Sequence, residues 1–67
     1  MVGDVLRAWR AERGLTQAEA AESLGRAGVR TRTGRVPCQA LVSRWENGVR
    51  YPTRKAEAMI RGFIGRS

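Results

Sequence analysis

Two apolar stripes, one near each end of the chain, constrain its fold more than any other feature. In each stripe apolar residues recur at i, i+3, i+4 and i+7, the spacing that places side chains on one face of a helix. The stripes are Val2, Val5, Leu6 and Trp9, and Ala56, Met59, Ile60 and Phe63. A chain of 67 residues buries only about 60% of its unfolded surface, which leaves room for one thin core. We therefore expect one small domain covering 1–67, built from amphipathic helices.

Stop and capping residues set the limits of the first two helices. Gly14 is a typical helix stop, so the first helix is predicted at about 3–13. Thr16 followed by Glu19 has the spacing of a capping box. In such a box the side chain of each residue accepts a hydrogen bond from the backbone N–H of the other. This box predicts a second helix at about 17–25, with an end at 27 as the alternative.

The second half of the chain predicts two more helices. Pro37 suits the start of a helix and Gly48 suits its end, so we predict a helix at 38–47. The apolar side of this helix carries Leu41, Val42 and Trp45. Thr53 is expected to begin the last helix. The fold class is therefore all-α with four helices, and five helices are the alternative. Both tryptophans, Trp9 and Trp45, are expected in the core.

The stretch 26–36 between the second and third helices differs in character. From Val29 to Thr33, β-branched residues alternate with Arg, and Gly34 then provides a turn. Alternation with period two around a glycine predicts a short β-ribbon or an extended loop. A mobile surface loop is the simpler alternative.

Composition excludes several classes of function. The chain has no His and a single Cys, Cys38, which we expect to be small and semi-buried. These counts exclude a disulfide framework within one chain, a Cys/His zinc site and His-based catalysis. We expect neither an enzyme nor a bound metal, cofactor or small-molecule ligand. No apolar run approaches the roughly eighteen residues that span a bilayer, so a soluble cytoplasmic protein without a membrane partner is expected.

The positive charge is concentrated in the middle of the chain. Residues 26–55 contain eight basic residues and one acid, Glu46, which accounts for the whole net charge of +7. A local excess of this kind is typical of a surface that binds the phosphates of nucleic acid. A solvated basic face without a ligand is the alternative interpretation.

Two sequence blocks occur in a fixed order along the chain. They are Gly14-Leu15-Thr16-Gln17 with Glu19, Ala21 and Leu24-Gly25, and Val42-Ser43-Arg44-Trp45-Glu46-Asn47-Gly48 with Pro52. Together they resemble the lambda-repressor-like, or Cro and XRE, helix-turn-helix family. The resemblance excludes 26–36 and the last few residues, and it implies that 38–47 is a recognition helix in the major groove of DNA. The chain departs from the family pattern between the second helix and the recognition helix, where roughly eleven residues replace a turn of about four. Pro37 and Cys38 also replace the usual small polar cap, and Ala20 stands where the family often has Leu.

The resemblance assigns DNA contacts to particular residues. Outward side chains near the start of a recognition helix contact base edges, and here these are Gln39, Ala40, Ser43 and Arg44. The resemblance also implies phosphate contacts from Gln17, Asn47, Arg50 and Arg54. The insertion 26–36 lies outside the resemblance, and its positive charge predicts a basic wing against phosphates or an adjacent groove, with contacts from Arg30, Arg32 and Arg35. Tyr51 either donates to a phosphate or covers the core. The family also pairs the acid at Glu46 with an Arg that matches Arg10, which predicts a partly buried ion pair.

These assignments imply a small dimeric repressor of phage or mobile-element type that binds a palindromic duplex. One module contacts few bases, so two copies related by a two-fold axis are the usual solution. Met59, Phe63 and Ile64 are the candidate dimer residues, with a role in the core as their alternative. The competing function is an antitoxin-like or other protein-interaction module whose DNA binding is secondary.

Overall fold

The computed structural model describes residues 1–66, with side chains described for 1–65. Its four helices are α1 (Val2–Arg13), α2 (Gln17–Arg26), α3 (Gln39–Glu46) and α4 (Arg54–Arg66). The described residues contain no β-strand, so the all-α class with four helices is confirmed, and both the fifth helix and the β-ribbon are wrong. None of these described helices is long and apolar enough to cross a membrane.

Local capping chemistry explains the end of α1 and the starts of α2 and α4. Gly14 closes α1 in the left-handed conformation, with φ of 66°, which a residue without Cβ adopts at little cost. Thr16 and Glu19 form the predicted capping box, because the Glu19 amide donates to Thr16 Oγ1 (3.1 Å) and the Thr16 amide donates to Glu19 Oε1 (2.9 Å). The Ala56 amide donates to Thr53 Oγ1 over 3.1 Å at the start of α4. Each such cap stabilises a helix by about 1 kcal/mol.

The limits of α3 differ by one residue at each end from the predicted 38–47. Cys38 is the N-cap residue, with extended backbone and no side-chain capping bond, and Asn47 is the C-cap residue. The thiol of Cys38 is exposed, so the expected semi-buried position is wrong. Pro37 lies before the cap, and Pro37 is the residue that is buried at this point. Pro37 therefore occupies the buried position before α3, and Cys38 lies outside it.

The core takes side chains from every helix. The largest fully buried ones are Leu6, Leu24, Val29, Val42 and Ile60. Four of them come from α1, α2, α3 and α4 in turn, and Val29 belongs to the connection after α2. Full burial of one such side chain contributes about 1.5–3 kcal/mol. Both tryptophans are also buried, which confirms that they belong to the core.

Gly3 allows α1 to approach the C-terminal end of α3 closely. A Cβ atom placed on Gly3 would overlap the carbonyl oxygen of Trp45 and would lie 3.1 Å from the carbonyl oxygen of Glu46. These are backbone atoms, so they do not move aside as a flexible side chain would. The contact between α1 and α3 therefore requires a residue without a side chain at this position.

We expect Gly3→Ala to lower the free energy of unfolding by about 1–3 kcal/mol, the usual cost of overpacking. Urea denaturation followed by circular dichroism measures the change. The control is Gly65→Ala, because a Cβ on Gly65 meets nothing within 4 Å and Ala favours a helix over Gly by about 1 kcal/mol. Equal destabilisation by both variants would contradict the close approach.

Candidate nucleic-acid interface

The connection between α2 and α3 is anchored at its start. Arg26, the first residue of the predicted insertion, is the last residue of α2, so the connection runs over 27–38. Val29 is fully buried. Nη1 of Arg30 donates to the carbonyl oxygens of Gly25 and Val29, each over 2.8 Å. The bond to Gly25 satisfies an acceptor at the negative end of the α2 dipole, and the bond to Val29 lies within the connection itself. Arg30, predicted to contact phosphate, thus holds the end of α2 through this nitrogen.

Residues 31–35 form a hydrogen-bonded turn, which we name the basic turn. The Thr31 amide donates to the Arg35 carbonyl over 2.7 Å, and the Gly34 amide donates to the Thr31 carbonyl over 2.9 Å. The Arg35 amide donates to Thr31 Oγ1 over 3.1 Å. Gly34 has φ of 82°, which the reversal of the chain requires. Arg32 and Arg35 are exposed at this turn.

The basic turn lies beside α3 and the segment that follows it. A cleft of about 440 Å³ separates Thr31–Thr33 from residues 49–53, and Leu41 and Trp45 also line it. A second cleft, of about 470 Å³, lies between the turn and the first part of α4. The turn therefore flanks α3 on its Leu41 side, close to Arg50. Tyr51 lines the first cleft and is 57% exposed, so it does not cover the core.

The two sides of α3 differ sharply. Val42, Trp45 and Glu46 face inward and are buried. Leu41 is half-buried on the flank, so Val42 is the one that faces the core. The opposite side is polar and carries the four predicted base contacts: Gln39, Ala40 and Arg44, which are exposed, and Ser43, which is half-buried.

Glu46 and Arg10 form a two-bond ion pair between α3 and α1. Arg10 Nε lies 2.8 Å from Glu46 Oε2, and Arg10 Nη2 lies 3.0 Å from Glu46 Oε1. The side chain of Glu46 is 1% exposed and that of Arg10 is 24% exposed. Arg10 Nη1 also donates to the carbonyl of Leu15 over 3.2 Å. The residues that the family resemblance pairs are therefore in contact, and the pair is partly buried as predicted, with the acid as its buried member.

Three further polar side chains gather around Glu46. The side-chain amide Nε2 of Gln17, at the start of α2, donates to Glu46 Oε1 over 3.4 Å. Nη2 of Arg7 donates to the Glu46 carbonyl (3.2 Å) and to Asn47 Oδ1 (3.0 Å). Gln17 and Asn47, both predicted phosphate contacts, are thus brought together with Arg7, which the sequence prediction missed. Arg7 precedes Arg10 by three residues on α1, and this i, i+3 spacing was the one available signal.

The surroundings of Glu46 decide its charge. Burial raises the pKa of the carboxyl, but hydrogen bonds from Arg10 and Gln17, with the charges of Arg10 and Arg7, lower it by more. The net pKa of Glu46 lies below its ordinary value. The hydrogen bond to Glu46 raises the pKa of Arg10 against the effect of burial, and the charge of the carboxylate adds to this rise. Both partners therefore remain ionised at neutral pH.

Burial of Glu46 leaves only basic residues among the exposed charged side chains of the middle segment, one of which, Arg26, pairs with Glu22 of α2. Glu46 is the only acid in residues 26–55. All eight basic residues of this segment are exposed: Arg26, Arg30, Arg32, Arg35, Arg44, Arg50, Arg54 and Lys55. Where side chains are described, no group of His, Cys, Asp or Glu could hold a metal ion. This surface is suited to a polyanion.

The candidate dimer residues on α4 pack within their own chain. Met59, Phe63 and Ile64 are partly buried against the core. The ring of Phe63 meets that of Trp9 edge to face, with centroids 5.6 Å apart and planes at 72°. This packing gives Phe63 a role in the core. An interface through these residues stays a prediction.

Comparisons of the chain with protein-family models, curated proteins and solved structures find no match.

The lowered pKa of Glu46 predicts acid sensitivity. The folded pKa is below the unfolded one, so the stabilisation is fully present above the ordinary pKa of Glu, about 4.3. It is lost as the pH falls through the folded pKa. We expect the free energy of unfolding, measured with urea from about pH 6 to about pH 2, to fall with acid. The fall should be shallower in Glu46→Gln than in the control Glu12→Gln, which removes an exposed acid. An identical pH slope for Glu46→Gln and the unaltered chain would contradict this role.

Proposed function

We propose that the chain is a sequence-specific regulator of transcription that binds double-stranded DNA through a helix-turn-helix unit formed by α2 and α3. One observation carries the proposal. The only acid of the segment 26–55 is buried in an ion pair, while every basic residue of that segment is exposed. A surface of this charge attracts DNA phosphates and releases their counterions. The sequence resemblance to the lambda-repressor-like family supports the same function.

In this proposal α3 is the recognition helix. An α-helix with its side chains is about 10–12 Å in diameter, and the major groove of DNA is about 12 Å wide, so the groove admits the eight-residue α3. Gln39 can pair with adenine through two hydrogen bonds, and Arg44 can pair with guanine in the same way. Ala40 can contact a thymine methyl group. The side chain of Ser43 lies within 3.4 Å of Asn47 Nδ2, which suits a contact with the edge of the groove.

Two flanks of α3 supply phosphate contacts that orient the protein without reading sequence. On one flank, Arg7, Gln17 and Asn47 lie together at the N-terminus of α2, where free backbone N–H groups and the helix dipole favour an anion. On the other flank, Arg50 and Arg54 follow α3. Opposite flanks of one helix face opposite walls of the groove, so each set would contact a different stretch of backbone.

A two-fold dimer would extend this limited contact. One short helix contacts few base pairs, and two copies on a palindrome double the contact at half-sites about one helical turn apart. A dimer covering a promoter acts most simply as a repressor, of the small phage or mobile-element type. Ile64 on α4 is the candidate for the dimer contact, because it lines a cleft with Val5 and Ala8 on the surface of α1.

A second function is favoured by exposed apolar side chains. Val49 and Tyr51, which are 68% and 57% exposed, line one cleft together with half-buried Leu41, and contiguous apolar surface is typical of protein interfaces. An antitoxin-like protein, with a protein as its main partner and DNA as a secondary one, would use such a surface.

Selection of bound duplexes from a random pool tests the proposed function. The selected duplex is then titrated against a scrambled duplex at two salt concentrations. A palindromic sequence bound about 10³-fold or more tightly than the scramble is the expected result. Equal affinity for both duplexes, falling steeply with salt, would contradict sequence-specific binding and favour the protein-interaction module.

Substitutions on α3 should change specificity, whereas those after it should change affinity. We expect Gln39→Ala and Arg44→Ala each to reduce discrimination at one base position by about 1–3 kcal/mol. Arg54→Ala should weaken binding to every duplex alike and lower the salt slope by about one unit. Titration against single-base operator variants measures both effects. A uniform loss from Gln39→Ala would show that this residue does not contact a base.

Replacement of Ile64 tests the dimer. We expect Ile64→Ser to shift sedimentation toward the monomer and to weaken operator binding, because a polar side chain disfavours an apolar interface. The control is Ala58→Ser, on an exposed position of α4, with circular dichroism to show that both variants fold. A dimer that persists in the Ile64 variant would reject this surface.

A further inference from the structure

We propose that the basic turn inserts Arg32 and Arg35 into the minor groove next to the major groove that α3 occupies, and that it selects A·T pairs there. This inference rests on the proposed function. It adds a second DNA-contacting element, with its own groove and its own base preference.

The turn is held in shape before any ligand binds. Three hydrogen bonds, of 2.7, 2.9 and 3.1 Å, join Thr31 to Gly34 and Arg35. Buried Val29 and the bond from Arg30 to Gly25 at the end of α2 anchor its base. An element fixed in this way loses less conformational entropy on binding than a free loop does. Arg30 is therefore a positioning residue, and Arg32 and Arg35 are the contacts.

The chemistry of the turn matches the minor groove. Arg32 and Arg35 are exposed on either side of Gly34, and the segment 26–55 exposes no acid that would oppose them. Minor grooves of A·T tracts are narrow and strongly negative, and inserted Arg side chains bind there preferentially. A groove about 6 Å wide admits the side chains of a turn but not a helix.

In the proposed complex the basic turn and α3 lie on opposite sides of one DNA strand. The turn shares a cleft with Arg50 and Tyr51 on the Leu41 flank of α3. In the proposed complex the segment at Arg50 follows the phosphate backbone at the edge of the major groove. The minor groove lies on the far side of that same backbone, about half a helical turn from the centre of the half-site that α3 occupies. The turn is the neighbouring element on that side.

The experiment varies only the base pairs that flank the half-sites of the selected duplex. The flanks are A·T, G·C or I·C pairs. An I·C pair presents the groups of A·T in the minor groove and those of G·C in the major groove. The same flanks are also placed around a scrambled centre, so that the groove preference is measured whether or not a central sequence is selected.

Minor-groove selection predicts that A·T and I·C flanks bind alike and about tenfold more tightly than G·C flanks. Equal affinity for all three flanks would show phosphate contact alone, and I·C behaving like G·C would show major-groove contact. Either result overturns the inference while sequence selection at the centre stands. Loss of central selection with the flank preference retained would overturn only the proposed function.

Paired variants assign the effect to the turn. Arg32→Ala with Arg35→Ala should abolish the flank preference and leave the central base preference intact. The control, Arg13→Ala with Arg61→Ala, removes the same charge from α1 and α4 and should keep the flank preference. Retention of the preference after both turn arginines are removed would contradict the inference.

Discussion

The buried carboxylate of Glu46 is the interaction on which the rest of the structure depends. It receives two hydrogen bonds from Arg10 of α1 and one from Gln17 of α2. A buried ion pair is weak evidence for net stability, because desolvation of both charges opposes their attraction. Loss of one partner is nevertheless costly, at about 3–5 kcal/mol, since the other charge is stranded. A domain this small has a total stability of the same order. The pair therefore fixes the arrangement of three helices at one point, whatever its net contribution to stability.

The same burial explains how a strongly basic surface coexists with a folded core. An acid on the outer side of α3 would repel a polyanion, whereas an acid on its inner side neutralises Arg10 and orients Gln17 and Arg7. Gly3 completes the arrangement, because its missing side chain lets α1 reach the carbonyls at the end of α3. The polar side of α3 is thus held outward by contacts made entirely on the opposite side. This division of one short helix is what the proposed DNA contact requires.

Features set by neighbours in sequence were predictable here, and features set by distant residues were not. The capping box at Thr16 and the stop at Gly14 follow from spacing alone, so α1 and α2 were predicted to within a residue or two. The prediction of a β-ribbon in 26–36 was wrong because burial of Val29 and the bond from Arg30 to Gly25 of α2 fix the path of the chain there. Arg7 was missed because its partners lie 39 and 40 residues away. Pairing of Arg10 with Glu46 came from the family resemblance, which no periodicity in the chain would have supplied.

The long connection between α2 and α3 costs less than its length suggests. Extending a turn of about four residues to about twelve adds roughly 1 kcal/mol of closure entropy. Burial of Val29 contributes about 1.5–3 kcal/mol in the opposite direction, and the bond from Arg30 to Gly25 holds the start of the connection on α2. The hydrogen bonds within residues 31–35 oppose the entropy of ordering the turn, and they use the backbone of Arg35 and the side chain of Thr31. Because none of these bonds uses the side chain of Arg32 or Arg35, those side chains are free to serve binding.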